Sequence, residues 1–301
     1  MENINYVIEC KDIRKNFRKF ALDIPELKIP RGFATALIGE NGAGKTTLLN
    51  ILSGIRLDYK GSIRYFEQYS DKDRENNPIV KEQIGYTGPG SYYLPHWKIN
   101  QVSRINELLF DSFHPDRFER WCRELAIASV NSGKRVNALS DGNRMKLIIA
   151  GVLARDTKLL IMDEPASPLD PLMRTRLCEI IRDYLAEDEG NRSVFFSTHN
   201  ISDMENVTDY AIIMANGQIV EAGFVEDLKE KYLLIKGEAD DAPAIRSALF
   251  SMASGHYGFE GICLAENLDA LAGYHVSVET PTLSQVSVAV MQQYSAMAHQ
   301  S

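Results

Sequence analysis

Eight consecutive residues, Gly39-Glu40-Asn41-Gly42-Ala43-Gly44-Lys45-Thr46, follow the spacing GxxxxGK[ST]. Glycines at these positions let successive backbone N–H groups turn inward around an anion. The lysine reaches the terminal phosphates, and the hydroxyl after it suits a magnesium ion. Such a set cradles a nucleoside triphosphate, with Gly39, Asn41, Gly42, Ala43, Gly44, Lys45, Thr46 and Thr47 as its contacts. Further along, the apolar run Leu159-Leu160-Ile161-Met162 ends in Asp163-Glu164. Two carboxylates at a strand end have separate uses beside a triphosphate. Asp163 suits the magnesium shell, and Glu164 suits orienting or deprotonating an attacking water.

The cradle works only where a strand delivers the chain to it and a helix starts from it, because the helix N-terminus adds a partial positive charge. Ala34 to Ile38 is a short apolar run that predicts the strand, and Lys45 to Gly54 has helical apolar spacing ending in glycine. Ser62 to Phe66, Gln83 to Tyr86, Lys158 to Met162 and Ser193 to Ser197 predict further strands. The last two flank a helical stretch, Leu172 to Leu185, an alternation that implies a mainly parallel sheet covered by helices. Ala211 to Met214 and Gln218 to Glu221, joined by Asn216-Gly217, predict a hairpin. Tyr69 to Asn77 is polar and reads as a surface loop. From about 91 to 155 the strand signals lapse, and Val102 to Phe110, Arg117 to Ala128 and Arg144 to Ala154 carry helical spacing. Beyond Lys231, strands are expected at Tyr232 to Ile235, Gly261 to Leu264 and Tyr274 to Val278, with helices at Pro243 to Met252 and Leu283 to Tyr294.

The chain has 301 residues, of which 45% are hydrophobic, enough for a full core in one large domain with a smaller appendage. Its formal net charge is -8 and it has no Lys/Arg-rich block, so a nucleic-acid partner is not expected. Cys10, Cys122, Cys178 and Cys263 are scattered, without the paired spacing of a zinc or redox site, and read as core residues of a reducing compartment. No run of eighteen apolar residues is present, so a cytoplasmic chain that meets a membrane only through a partner is expected.

Upstream of the carboxylate strand, Leu139-Ser140-Asp141-Gly142-Asn143-Arg144 resembles the signature sequence of ABC transporter ATPases. Ser167-Pro168-Leu169-Asp170 and Ser197-Thr198-His199 follow where that family places its D-loop and its switch histidine. The resemblance covers roughly residues 5 to 230. It implies an α/β P-loop NTPase (RecA-like) core with an antiparallel N-terminal β subdomain and a helical insertion, an ATPase domain over 1–230. The remainder, 231–301, forms a small α+β appendage.

The resemblance further implies ATP with Mg²⁺ as the bound pair, and two ATPase subunits joined head to tail. Ser140, Gly142 and Asp170 of one would close over nucleotide held by the other, His199 would contact the γ-phosphate, and Phe17 would stack on adenine with Phe20 as fallback. Integral membrane subunits would complete an exporter of peptides or drug-like amphiphiles, with this chain peripheral on the inner face of the cell membrane. An importer ATPase, or a soluble relative acting on ribosomes or nucleic acid, remains an alternative.

The sequence departs from the family at three places. Asp141 replaces a glycine, Asn143 replaces a glutamine, and Thr87-Gly88-Pro89-Gly90 stands where a glutamine that touches magnesium is usual. Slow intrinsic turnover is the expectation. The aromatic cluster Tyr92, Tyr93, Pro95, His96 and Trp97, within Ser91 to Val102, is expected to dock the membrane partner; Ser140 also fits a helix N-cap.

Overall fold

The computed structural model describes residues 4–71, 78–88, 92–188, 190–255 and 258–298. In chain order the strands are β1 (Tyr6–Asn16), β2 (Ala21–Pro30), β3 (Ala34–Ile38), β4 (Lys60–Tyr65), β5 (Tyr69–Ser70), β6 (Ile84–Thr87) and β7 (Leu159–Met162). They continue as β8 (Ser193–Thr198), β9 (Tyr210–Ala215), β10 (Gln218–Phe224), β11 (Tyr232–Gly237), β12 (Ser251–Ser254), β13 (Phe259–Leu264) and β14 (Val276–Glu279). The helices are α1 (Lys45–Leu52), α2 (Pro78–Glu82), α3 (Ile99–Leu109), α4 (Pro115–Glu124), α5 (Asp141–Leu153), α6 (Pro171–Ala186), α7 (Val225–Lys231), α8 (Ala242–Ile245) and α9 (Leu283–Ala298).

The central sheet has the order β10-β9-β3-β8-β7-β6. Every residue of β3, β7 and β8 is buried, which is why each is dominated by apolar residues rather than alternating with exposed polar ones. Strands β6, β7, β8, β3 and β9 pair in parallel, and β10 returns antiparallel to β9. The turn between β9 and β10 uses Asn216 at φ 46° and Gly217 at φ 81°, the left-handed pair that a tight hairpin requires. A Cβ on Gly217 would lie 2.0 Å from the Ala21 carbonyl oxygen, and the Gly217 N–H donates to the Ala43 carbonyl at 2.9 Å. The hairpin turn thereby braces the phosphate cradle from behind.

An antiparallel sheet, β2-β1-β4-β5, covers α1 and one face of the central sheet, with Ile8, Ile24, Leu48, Phe195 and Ile212 in the shared core. The other face carries α3 to α6 and α9, around Phe118, Ile148, Ile181 and Phe196. Terminal helix α9 lies beside β9, and its Leu283 and Val286 are fully buried in this larger core. A third sheet, β12-β13-β11-β14, closes a small core of its own around Ile235, Phe259 and Cys263.

Three elements differ from expectation. The stretch 243–252 is not one helix: α8 ends at Ile245, a 3₁₀ turn covers Arg246–Ala248, and β12 pairs with β13. The partner strand makes this possible, since Gly261 brings its backbone so near that a Cβ would meet the Ser251 carbonyl at 2.6 Å. Ladder hydrogen bonds there outweigh local helical spacing. Tyr69–Ser70 is not loop but strand paired with β4, while residues 72–77 of the expected loop lie outside the described residues. Helix α4 starts at Pro115, where a missing N–H costs nothing, and stops after Glu124, with Leu125 as its cap and Ala126 turning left-handed at φ 52°.

Candidate active site

Strand β3 runs into the cradle and α1 leaves it, the arrangement the motif demands. Gly42 and Gly44 adopt φ 88° and 107°, open to glycine and strained for other residues. Gly44 has a second constraint, because a Cβ there would sit 2.7 Å from the Phe20 ring. Phe20 is therefore a prop for the loop. Phe17, 5.9 Å away between ring centroids, is 40% exposed, with the Lys15 ammonium and the Arg56 guanidinium over its ring at 5.5 and 5.4 Å from the centroid.

Lys45 is 5% exposed and donates to the Gly39 carbonyl at 2.7 Å and the Glu40 carbonyl at 3.2 Å. It also lies 3.4 Å from Glu164 Oε1, a charge–charge distance without hydrogen-bond geometry. Thr46 is exposed at the start of α1, and Thr47 is half-buried. Helix α1 starts at Lys45 directly after Gly44, which brings the positive end of its dipole to the loop.

Asp163 is fully buried at the end of β7. Its Oδ1 accepts a 2.6 Å hydrogen bond from Ser197 Oγ, while Oδ2 is buried without a partner. An orphaned buried carboxylate oxygen is costly unless it meets a cation or a water. No cluster of three or more His, Cys, Asp or Glu ligands exists among the described residues. One carboxylate, a hydroxyl and the nucleotide's own phosphates are a donor set suited to magnesium, so the residues present fit Mg²⁺ held by Thr46 and Asp163.

Glu164 adopts φ 48°, a conformation that costs a non-glycine residue on the order of 1 kcal/mol. Three contacts hold it there. Its N–H donates to Ser197 Oγ at 2.9 Å, Oε2 lies 2.8 Å from His199 Nδ1, and Oε1 faces Lys45. An ionised Glu164 makes Nδ1 the protonated ring nitrogen and leaves Nε2 of the exposed His199 available. Ser197 thus clamps both carboxylate residues at once. Its place in the sequence marks a strand end leading into His199, and its bridging becomes visible when β7 and β8 lie side by side. Replacing Ser197 by Ala strips Asp163 Oδ1 of its hydroxyl partner and releases the Glu164 backbone. We expect a loss of hydrolysis on the order of tenfold with weaker magnesium dependence, read from rates against Mg²⁺ concentration; a rate within about twofold of wild type would contradict the clamp.

Ser140 caps α5, accepting from the Asn143 N–H at 3.3 Å, and remains exposed. Asp170 likewise caps α6, accepting from the Met173 N–H at 3.1 Å, with Pro171 in the first turn. A Cβ on Gly142 would lie 2.8 Å from the Pro168 carbonyl oxygen, so the two segments abut in one chain. Arg144 bridges Asp141 at 3.0 Å and the Leu139 carbonyl at 3.1 Å, tying down the substituted signature. Of the unusual loop, Thr87 and Gly88 are described, and Pro89, Gly90 and Ser91 lie outside the described residues.

The aromatic cluster divides. Tyr93 is 6% exposed, accepts from Asn106 Nδ2 at 3.3 Å and stands against Gly151, so it is a packing residue. Trp97 packs against the larger core. Tyr92, Leu94, Pro95 and His96 remain exposed.

The cradle at the end of β3, opposite paired acids at the end of β7, defines a P-loop nucleoside triphosphatase. Residues 22–167 match the family model described as ABC transporter. The chain is 29% identical over 226 residues to the phosphonates import ATP-binding protein PhnC of Fusobacterium nucleatum subsp. nucleatum, covering 71% of this chain and 90% of that protein. It is 27% identical over 241 residues to the energy-coupling factor transporter ATP-binding protein EcfA2 of Streptococcus pneumoniae, covering 76% and 82%. The dimeric structure of MJ0796, a bacterial ABC transporter cassette, superposes with a TM-score of 0.63 at 18% identity, over 72% of this chain and 98% of that one. Over residues 22–167 the chain is similar to the ATP-binding domains of ABC transporters, a family that hydrolyses ATP.

Proposed function

We propose that the chain is the ATP-driven power unit of a membrane transporter, acting as a head-to-tail pair of ATPase subunits. Residues 1–230 are the ATPase domain and 231–301 an accessory region. The observation that carries the pairing is the ledge, exposed at Ser140 and Asp170, where the capped start of α5 abuts the segment that leads through Pro168 into the capped start of α6. A capping serine still has its own O–H to donate, and the N-terminus of the 13-residue α5 favours an anion.

In this reading Lys45 and the loop amides hold the β/γ-phosphates, and Phe17 stacks on the base. Ser140 and Gly142 of the second subunit complete the γ-phosphate site, and Asp170 crosses between subunits. Magnesium, when bound through Thr46 and Asp163, neutralises charge on the phosphate oxygens. Glu164 orients the attacking water and takes its proton, with His199 holding the carboxylate and contacting the γ-phosphate.

No helix among the described residues is long and apolar enough to cross a membrane, so the stroke is delivered to partner membrane subunits at the inner face of the membrane. Tyr92, Leu94 and His96 form the docking handle, and Tyr93 and Trp97 support it from beneath. Export of peptides or amphiphiles is the direction the sequence resemblance suggests, and the name of the phosphonate relative points to import. The identity of the co-purifying membrane protein, with cargo flux in vesicles, decides between them. The power-unit reading itself is tested by nucleotide binding and by mass in solution. Wild type should bind ATP with Mg²⁺ and pair when ATP is present, and Lys45→Ala should lose at least about tenfold in ATP affinity. Unchanged affinity in Lys45→Ala would overturn it.

A further inference from the structure

Arg174 sits one turn into α6, where a cation opposes the helix dipole. Its place is explained by what it holds. Nε donates to the Leu169 carbonyl at 2.9 Å, and Nη1 donates to Asp203 Oδ2 at 2.8 Å. The same Oδ2 accepts from Asn200 Nδ2 at 3.0 Å, and Asn200 directly follows His199. Arg174 and Asp203 are 30% and 26% exposed, shielded enough for the pair to persist in salt.

The segments 164–170 and 197–203 are therefore joined at both ends. At the near end Ser197 and His199 grip Glu164; at the far end Arg174 and Asp203 bind the Leu169 carbonyl to the loop that carries His199. Between them the Ser167 N–H returns to the Glu164 carbonyl at 3.2 Å and the Leu169 N–H to the Ala166 carbonyl at 3.1 Å, leaving little slack. A planar fork can hold a carbonyl and a carboxylate together, which an ammonium on a flexible stem does poorly.

We infer that Arg174 is a positioning residue that transmits the placement of the 167–170 segment, exposed at Ser167 and Asp170, to His199 and Glu164 through Asp203 and Asn200. This rests on the proposed pairing, in which a second subunit bears on that segment. Contact there then sets the catalytic pair by displacement of a braced unit, with no group of Arg174 touching nucleotide.

The experiment measures kcat, ATP KM and the Hill coefficient of the full chain for wild type, Arg174→Met, Arg174→Lys, Asp203→Asn and the double variant Arg174→Met/Asp203→Asn. We expect Arg174→Met to lower kcat by on the order of tenfold to a hundredfold, with KM within about twofold and the Hill coefficient falling toward one. Arg174→Lys should recover only part of the rate, and the double variant should be no slower than the slower single variant. Unchanged kcat and Hill coefficient, losses that multiply in the double variant, or losses that track melting temperature would each overturn the relay. Should Arg174→Met not fold, the near-isosteric Asp203→Asn carries the same expectation. Failure of the pairing itself looks different: wild type would then neither pair with ATP nor respond cooperatively to it.

Discussion

Glu164→Gln should give a protein that binds ATP, pairs and barely turns over. The substitution keeps the side chain's volume and its capacity to bond His199, and Lys45 keeps the Gly39 and Glu40 carbonyls as partners. The backbone of residue 164 is held by Ser197 rather than by its own carboxylate, so the φ 48° conformation persists. What is lost is a group able to accept a proton from water. General-base removal costs on the order of 10²–10⁴ in rate, and because the loop at 87–90 lacks a glutamine to share the task, a value in the upper part of that range is expected for kcat. ATP affinity should be equal or tighter, since a carboxylate facing the terminal phosphate has become neutral. Gel filtration with ATP and magnesium should then show a long-lived dimer. A kcat within about threefold of wild type would remove Glu164 from the role of base.

The legible parts of this protein are those in which chemistry and local backbone coincide. The cradle reads from Gly39 to Thr46 because the glycine positions, the lysine and the helix start all lie within eight residues. The Asn216-Gly217 turn reads equally well, since left-handed φ values at two successive positions restrict the residue types. Contacts made by distant segments are where local spacing falls silent. Ser197 looks like any strand-end serine until β7 brings Asp163 within 2.6 Å. Tyr93 looks like an exposed docking aromatic until α3 and α5 supply Asn106 and Gly151 to enclose it. The stretch 243–252 has helical spacing, but it lies against Gly261, whose missing side chain admits a strand. The tail looks detached by composition, whereas α9 buries Leu283 and Val286 against the central sheet.

Two inactive variants should restore each other's activity when mixed. Lys45→Ala destroys the cradle of its own chain and leaves Ser140 and Gly142 intact. Gly142→Val leaves the cradle intact and forces side-chain bulk into a space where even a Cβ would be 2.8 Å from the Pro168 carbonyl, deforming the ledge that serves the neighbour. Each pure pair then has two defective sites. In a mixed pair, the cradle of the Gly142→Val chain meets the intact ledge of the Lys45→Ala chain, and one complete site results. Random mixing makes half the pairs mixed, so about a quarter of the wild-type rate is expected if the two sites turn over independently. Mass measurement on the mixture establishes that mixed pairs form. Pairs present with no recovered hydrolysis would show that one intact site does not suffice, and a Gly142→Val variant active by itself would show that the ledge does not serve the neighbour. Recovery cannot come from either chain alone, because neither contains both halves of a working site in the pairs it forms with itself.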